Sequence, residues 1–229
     1  NLNKIFNITA LHLAAYNNNQ EIINILFSIP DIDINEYTFR KCMKLKKISL
    51  PPIMTKIEDK AFYKCEELEE ISIPSTIKEI GDESFSRCIK LKNIDIPSSV
   101  LEIGSSAFNQ CDSLISVNIQ SQITKIKKST FAYCVSLTDI IIPDSVTYIG
   151  KKAFVSCRSL KQIKLPPSIK SIESGTFFSC ESLIEINIPD SVTIIKDNAF
   201  NSCHSLVKVS FPPSVTKIGE NAFQKCSSL

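Results

Sequence analysis

The chain has 229 residues, of which 43% are hydrophobic and 22% are charged. This composition is typical of a folded domain with a sizeable core and excludes a disordered tail. Lysine and arginine exceed aspartate and glutamate by only two, so the net charge favours neither a nucleic-acid nor an anionic-membrane partner. No apolar run approaches the roughly 18 residues of a membrane helix. We therefore expect no membrane span, and no signal peptide, in this segment.

The opening, residues 7–35, differs from everything that follows and predicts two helices. The first has residues spaced for one buried face, namely Ala10, Leu11, Ala14 and Ala15. Thr9 is its expected N-cap, and the asparagines of 17–19 are expected to end it, since Asn tolerates left-handed backbone angles. A second helix covers roughly residues 20–28 and ends before Pro30. Its face toward a neighbour is expected to consist of Ile22, Ile23, Ile25 and Leu26.

Two short motifs in this opening match a known pattern. Thr9-Ala10-Leu11-His12 and the loop 31–35, Asp-Ile-Asp-Ile-Asn, resemble the Thr-Pro-Leu-His and Gly-Ala-Asp-Val-Asn-like motifs of one ankyrin repeat. Ala10 in place of Pro departs from that pattern, as do Asn7 and Asn18 in place of Gly. The resemblance implies that His12 is structural and bonds the neighbouring backbone. Because such a helix pair cannot bury its apolar face alone, it either continues earlier repeats or caps the first coil that follows.

A 23-residue period governs the chain from residue 36 onward, with every cysteine three residues after a phenylalanine and three before a leucine. The phenylalanines are Phe39, Phe62, Phe85, Phe108, Phe131, Phe154, Phe177, Phe200 and Phe223. The cysteines are Cys42, Cys65, Cys88, Cys111, Cys134, Cys157, Cys180, Cys203 and Cys226. Self-similarity at a fixed period predicts a solenoid, in which each coil contacts only its neighbours.

Each coil is expected to contain two extended pieces and one turn of helix. Residues 160–166 alternate like a short strand, with Ile163 and Leu165 pointing inward and Pro166 ending the strand. The pattern Ser-Val-Thr-x-Ile then predicts a second extended piece. The inner face of a single helical turn is formed by Ala153, Phe154 and Cys157. Strands of successive coils would form a parallel sheet, with a rise of about 4.8 Å per coil and a rod about 40 Å long.

Residues 137–157 follow the pattern L-x-x-I-x-I-P-x-S-V-x-x-I-G-x-x-A-F-x-x-C. In this they resemble the 23-residue leucine-rich repeat named after the bacterial surface antigen BspA. The resemblance implies a mainly β repeat solenoid with a parallel sheet of short strands and one helical turn per coil. We therefore expect an ankyrin-like helical unit over 1–35 and the solenoid over 36–229. Four coils replace the glycine, so that position cannot strictly demand a positive φ angle; the replacements are Glu58, Lys127, Glu173 and Lys196.

The cysteines lie in one core column rather than in C-x-x-C pairs. We expect reduced, buried thiols that pack as small hydrophobes, and disulfide bridges between adjacent coils are the alternative. We expect neither a metal nor a cofactor.

Residues suited to catalysis are sparse. The chain has only two histidines, and His204 is expected to point away from the core residue Cys203. The serines that precede core leucines are interpreted as turn and loop hydrogen bonders, and they include Ser113, Ser136, Ser159 and Ser182. A Gly-rich phosphate loop is absent from the sequence. We therefore expect no enzyme activity.

The outward positions of the first strand form two polar columns that could bind a partner. The candidate residues are Glu70, Asn93, Asp95, Asp139, Ile141, Gln162, Lys164, Glu185 and Lys208. Neither column contains an aromatic residue, which weighs against base stacking and against an aromatic sugar platform. The alternative is a solvated sheet face that binds nothing.

A second candidate surface is apolar. Ala132, Val155 and Phe178 each follow the core phenylalanine on three successive coils, and Tyr133 adjoins them. This patch is either exposed as a contact site or partly buried in the coil turn, and the sequence leaves both alternatives open.

The leucine-rich repeat resemblance implies a non-catalytic protein–protein interaction module that presents an extended surface to a protein partner. Two settings are open. An intracellular, cytoplasmic scaffold is favoured by the unpaired cysteines and the ankyrin context, and a cell-surface adhesin or antigen that binds host or matrix macromolecules is the alternative. The chain opens on Asn1 rather than Met, and its array stops at Leu229, where another strand would begin. We expect further coils or a cap beyond this point, and self-association of the uncapped chain.

Overall fold

A parallel β-solenoid forms most of the molecule, and two helices cover its N-terminal end. The computed structural model describes the backbone of residues 2–29, 32 and 34–229, and their side chains from residue 9 onward. The predicted fold class, a mainly β repeat solenoid with a short N-terminal helix pair, is confirmed. Within the described residues, neither helix has the length and apolarity needed to cross a membrane.

Two columns of short strands run along the solenoid, as the two extended pieces of each coil predict. The first column contains β1 (Lys47–Ser49), β3 (Glu70–Ser72), β5 (Asn93–Ile96), β7 (Ser116–Ile119), β9 (Asp139–Ile140), β12 (Glu185–Asn187) and β14 (Lys208–Ser210). The second contains β2 (Lys56–Ile57), β4 (Glu79–Ile80), β6 (Glu102–Ile103), β8 (Lys125–Ile126), β10 (Tyr148–Ile149), β11 (Ser171–Ile172), β13 (Ile194–Ile195) and β15 (Lys217–Ile218).

Every strand pair is parallel and joins residues one coil apart. Ile94 pairs with Val117 in the first column, and Ile80 pairs with Ile103 in the second. The first column contains the ladders β1–β3, β5–β7–β9 and β12–β14, and the second contains β2–β4–β6, β8–β10 and β11–β13–β15. In β5 the buried residues alternate with exposed ones, because successive side chains of a strand point to opposite faces.

A stack of nine phenylalanine rings, from Phe39 to Phe223, forms the centre of the core. Adjacent ring centroids lie 4.9–5.6 Å apart and the ring planes deviate by only 1–15° from parallel. The eight rings from Phe39 to Phe200 are fully buried, whereas Phe223 is half-buried in the last coil. The predicted phenylalanine column is therefore a continuous core in which each ring covers the ring of the preceding coil.

The segment around each phenylalanine folds as consecutive tight turns. Their hydrogen bonds join residues three apart, whereas an α-helical turn, as predicted, would join residues four apart. The amide of Ala153 donates to Gly150 O at 3.2 Å, and the amide of Cys157 donates to Phe154 O at 3.2 Å. Lys152 and Ser156 adopt φ angles of 57° and 58°. Residues with left-handed backbone angles cannot continue a right-handed helix. Positive φ angles recur at the equivalent positions of the other coils, and the array contains sixteen non-glycine residues of this kind.

Both left-handed residues direct their amides toward the next coil. Lys152 N donates to Ser174 O at 3.1 Å, and Ser156 N donates to Phe178 O at 2.7 Å. Between them, Phe154 N donates to Thr176 O at 2.9 Å. A second set of backbone hydrogen bonds therefore joins successive coils on the turn side, opposite the strands.

The cysteine thiols also join the coils. Cys157 Sγ donates to Phe131 O at 3.1 Å, and the equivalent bond recurs for every cysteine from Cys65 to Cys226 at 3.0–3.2 Å. Phe131 O also accepts the amide of Cys134 at 3.3 Å, so the buried carbonyl has two donors. All nine cysteines are free, as predicted. Their action as hydrogen-bond donors was not predicted from the sequence.

Where it occurs, the repeated glycine allows close packing rather than an unusual backbone angle. A Cβ atom added to Gly104 would lie 2.4 Å from the backbone nitrogen of Asp82 in the preceding coil. Gly175, which lies outside this column, is the glycine with a positive φ angle among the described residues. This agrees with the prediction that the column does not demand positive φ.

The first helix, α1 (Leu2–Tyr16), differs in part from the prediction. It begins before Thr9, so Thr9 lies inside the helix and is not its N-cap. Leu11, Ala14 and Ala15 are buried as predicted, but Ala10 is exposed. The helix ends before the asparagines of 17–19, where Asn18 adopts a φ angle of 55°.

The second helix, α2 (Gln20–Phe27), is capped by Asn19, whose side chain accepts the amide of Ile22 at 3.1 Å. Ile23 is buried and Leu26 is half-buried. The predicted burial of Ile22 and Ile25 is wrong, because the helix contacts the core along a narrow face and leaves these side chains 44% and 57% exposed. The predicted helix stop and most of the loop, Pro30, Asp31 and Asp33, lie outside the described residues.

Side chains of the helix pair satisfy the exposed edge of the first strand. Gln20 Nε2 donates to Lys47 O at 2.8 Å, and Asn18 Oδ1 accepts the amide of Lys46 at 3.0 Å. Unpaired strand edges favour pairing with other chains, so these bonds protect the end of the sheet. The helix pair thus packs directly on the first coil.

His12 has the structural role that the sequence predicted. Its Nδ1 atom lies 3.2 Å from Tyr37 O and 3.1 Å from Thr38 O, within hydrogen-bonding distance of both carbonyls. Nearby, the ring of Phe27 packs edge-on against the first ring of the stack, Phe39, with the centroids 6.2 Å apart. The helix pair therefore contacts the solenoid through both polar and aromatic side chains.

We predict that Phe154→Ala, in the middle of the stack, lowers the free energy of unfolding by about 3–5 kcal/mol, because both neighbouring rings would face a cavity. Urea unfolding measures the effect as a lower midpoint. The matched control is Phe223→Ala, whose half-buried ring should cost clearly less. A midpoint unchanged by Phe154→Ala would contradict a continuous buried stack.

Candidate protein-binding groove

The two outward columns lie on one face of the solenoid, as predicted, and all nine candidate residues on them are exposed. The face is polar apart from Ile141, which is 74% exposed. Contact with a partner at this position would remove apolar surface from water, which is favourable.

The sheet on this face opens at the coil between β9 and β12, which among the described residues has no strand in the first column, and the ladders are also interrupted between β3 and β5. Gln162 and Lys164 are exposed and Ile163 and Leu165 are buried, so the predicted alternation of residues 160–166 is correct. The predicted strand is nevertheless wrong, because among the described residues no ladder joins 162–165 to β9 or β12. Period-two alternation determines which side chains face inward, but it does not ensure that the backbone pairs with the neighbouring coils.

A groove with a volume of about 1010 Å³ lies at this opening and spans three coils. Apolar residues form its floor, and these are Ile140, Ile142, Ile163, Leu165 and Ile188, together with Pro143, Pro167 and Pro189. Its polar lining consists of Asp139, Asp144, Gln162, Lys164, Glu185, Asn187 and Asp190. The groove therefore combines an apolar base with polar edges, which is the usual composition of a binding site.

Five of the nine candidate residues line this groove, namely Asp139, Ile141, Gln162, Lys164 and Glu185. Among the groove's described side chains, only Lys164 and Asp144 form an ion pair, at 3.5 Å, and both are more than half exposed. The side chains of Asp139, Gln162 and Glu185 have no hydrogen bond or ion pair within the described chain. Their polar groups are therefore open to a partner.

The other candidate residues are placed differently. Glu70, Asn93 and Asp95 line a smaller depression of about 470 Å³ beside the helix cap. There Lys47 Nζ lies 2.9 Å from Glu70, and Asp95 accepts Asn118 Nδ2 at 2.9 Å. Asn93 likewise accepts the hydroxyl of Ser116 at 2.8 Å. These polar groups already bond to their neighbours along the column.

Lys208 lines neither the groove nor the depression among the described residues. It faces Glu185 across the β12–β14 ladder, one coil beyond the groove. This position leaves it on the same sheet face but outside the apolar floor.

The apolar patch predicted around Phe178 is not a continuous exposed surface. Ala132 and Val155 are 1% and 6% exposed, Phe178 is half-buried, and only Tyr133 is largely open, at 45%. Of the two alternatives, burial in the coil turn therefore holds for Ala132 and Val155, because the tight turns fold this column back against the core.

The thiols are poorly suited to act as nucleophiles. Burial raises the pKa of Cys42 and of Cys203 to about 12, and it raises the pKa of the mid-array thiols well above the ordinary value. The nucleophilic form of cysteine is the thiolate, and a raised pKa keeps it scarce near neutral pH.

Sequence reasoning missed the second half of the groove, which is the prolines and the aspartates that follow them. Asp144 and Asp190 occupy the same place in the two coils that flank Pro166–Pro167. Because nearly every coil has this proline, the sequence predicts only an ordinary loop for the residues that follow it. The available signal was Ile141, the one apolar residue in an otherwise polar column.

The comparison with protein families identifies the repeat. The sequence model of the BspA type Leucine rich repeat region matches residues 9–138 and 124–229, in six copies. The chain belongs to the BspA-type leucine-rich repeat family. The match begins at residue 9 and so includes most of the helix pair, and no comparison supports the predicted ankyrin resemblance. No curated protein matches the sequence.

Solved structures share the BspA-type fold. A leucine-rich repeat protein of T. pallidum is 28% identical, with a TM-score of 0.61, over 88% of this chain and 85% of that protein. A second structure, from Faecalibacterium prausnitzii, is described as a leucine rich cell surface protein. It is 28% identical, with a TM-score of 0.56, over 83% of this chain, and the match covers only 60% of that protein. The pneumococcal vaccine antigen PcpA, 20% identical with a TM-score of 0.54 over 76% of this chain and 58% of that one, shows the fold alone.

We predict that only one thiol of the native BspA-type chain, Cys226, reacts promptly with a thiol reagent at about pH 8. It is the cysteine that is not fully buried, whereas the other eight should react only as the protein unfolds. Spectrophotometric thiol titration without reductant measures this, and concentrated guanidinium chloride should release all nine. Fewer than nine in denaturant would indicate disulfides, and several prompt thiols in the native protein would contradict the buried column.

Proposed function

We propose that the chain is a non-catalytic protein-binding module and that the groove between β9 and β12 is its contact site. The observation that carries this proposal is the combination of an apolar floor, the exposed side chain of Ile141 and polar side chains that have no partner within the chain. Near the helix cap, by contrast, polar groups of the same columns bond to each other, as in the pairs Lys47–Glu70, Ser116–Asn93 and Asn118–Asp95. The repeat family and its structural neighbours indicate no catalytic role.

The cellular setting is a second part of the proposal. The similarity to a protein described as a leucine rich cell surface protein favours display at a cell surface, as an adhesin or antigen. The intracellular scaffold is supported by the free cysteines, but it has lost the support of the ankyrin resemblance. Antibody labelling of intact and of permeabilised cells separates the two settings, because surface display requires labelling without permeabilisation.

The binding proposal is tested by selecting binders from a random peptide display library on the immobilised chain. We expect enriched peptides whose affinity falls about five- to tenfold on Ile141→Ser, because one aliphatic contact is removed. Isothermal titration with the synthesised peptides measures the change.

The matched control is Asn118→Ser, which places the same residue in the same column one coil earlier, outside the groove. It should leave the affinity unchanged. No enriched peptide, or peptides that bind Ile141→Ser as well as the original chain, would contradict a binding groove at this position.

A further inference from the structure

The charge around the groove is one-sided. The groove lining contains four carboxylates, Asp139, Asp144, Glu185 and Asp190, and one ammonium group, Lys164, so the lining has an excess of three negative charges. The whole chain carries a net charge of +2, so this acidity is a local property of the groove. Unlike charges on partner surfaces favour association and determine which partner is accepted.

The carboxylates form two rims rather than one cluster. Asp139 and Asp144 belong to the coil before the opening, and Glu185 and Asp190 belong to the coil after it, at the equivalent places. The central coil contributes no carboxylate. Two coils are about 10 Å apart at the usual strand spacing, so the rims bracket a channel about as wide as one extended peptide.

The negative charges of the two rims are only weakly offset by positive charge within the groove. Lys164 pairs with Asp144 at 3.5 Å, and both side chains are exposed, which makes the pair weak. Asp139, Glu185 and Asp190 have no ion pair within the described chain. At the opposite end of the same face, Lys47 already pairs with Glu70 at 2.9 Å.

The four carboxylates of the groove are not gathered into a metal-binding cluster. Among the described residues, no group of three or more histidine, cysteine, aspartate or glutamate side chains is placed to hold a metal ion. The apolar lining lies both within the first rim coil, at Ile140, Ile142 and Pro143, and between the rims, at Ile163, Leu165 and Pro167. An elongated occupant with an apolar face and positive edges matches both features.

We propose that the occupant of the groove is an extended segment of a partner protein that is rich in lysine or arginine and interspersed with apolar residues. This rests on the proposed function, since it names the kind of protein segment that the same groove binds. The backbone lies over the central coil, its basic side chains reach the two rims, and its apolar side chains cover Ile141 and the floor.

Fluorescence anisotropy of labelled synthetic peptides tests this, with a peptide of alternating lysine and valine as the probe and the same peptide with glutamate for lysine as its counterpart. The lysine peptide should bind and the glutamate peptide should not. The double variant Asp139→Asn, Glu185→Gln should weaken the lysine peptide about fivefold or more. Lys164→Gln, which removes the opposing positive charge, should strengthen it.

The control is Glu70→Gln with Asp95→Asn, which makes the same change of charge and shape on the same face outside the groove. This control should change the affinity for the lysine peptide by no more than about twofold. Its exposed charges lie outside the groove, and salt largely screens exposed charges that are far apart. An equal loss in the control would show non-specific attraction and overturn the proposal. So would binding of the glutamate peptide, or weaker binding by Lys164→Gln.

The library selection distinguishes failure here from failure of the proposed function. Groove-dependent peptides without basic residues would overturn the basic occupant and leave the binding groove intact. If the lysine peptide bound without any dependence on Ile141 or on the rims, both proposals would fail.

Discussion

Each coil must place its phenylalanine ring directly over the ring of the coil before it, and the 23-residue period follows from that requirement. Centroid distances of 4.9–5.6 Å are only slightly longer than the roughly 4.8 Å between neighbouring strands, so ring stacking and backbone pairing repeat together along the array. An insertion in any coil would displace every later ring from this register. The uniform period of the sequence is the consequence.

The tight turns that present the rings have an energetic cost, which the contacts between coils offset. A left-handed residue other than glycine costs about 1–2 kcal/mol, and most full coils contain two such residues, whereas the coil of Gly175 contains one. These costs are offset because three backbone amides of each coil donate hydrogen bonds to carbonyls of the next coil. The cysteine thiol also donates to the phenylalanine carbonyl of the preceding coil, which then has two donors. Inward positions are therefore tightly constrained, whereas outward positions are free to vary, and the acidic groove is built from the residues that remain free.

The core could be predicted from the sequence because hydrophobic periodicity determines which columns are buried. Phe154 and Cys157 lie where the 23-residue pattern placed them. The left-handed turns could not be predicted, because Lys152 and Ser156 are residue types with no preference for positive φ and only the coil-to-coil bonds hold them there. The exposure of Asp139 and Glu185 followed from alternation. The groove between them did not, because the alternation of a single repeat does not show where pairing with the neighbouring coils is lost.

Amide hydrogen exchange at the mid-array phenylalanines is the most direct measurement of how the coils are joined. Phe108 N donates to Thr130 O and Phe131 N donates to Ala153 O, both at 2.9 Å, within the buried turn-side ladder. These amides should exchange only through large-scale unfolding, whereas the amide of Lys164, which has no hydrogen bond in the described chain, should exchange rapidly. If Phe108 and Phe131 exchanged as fast as Lys164, the coils would not be joined through a buried phenylalanine spine.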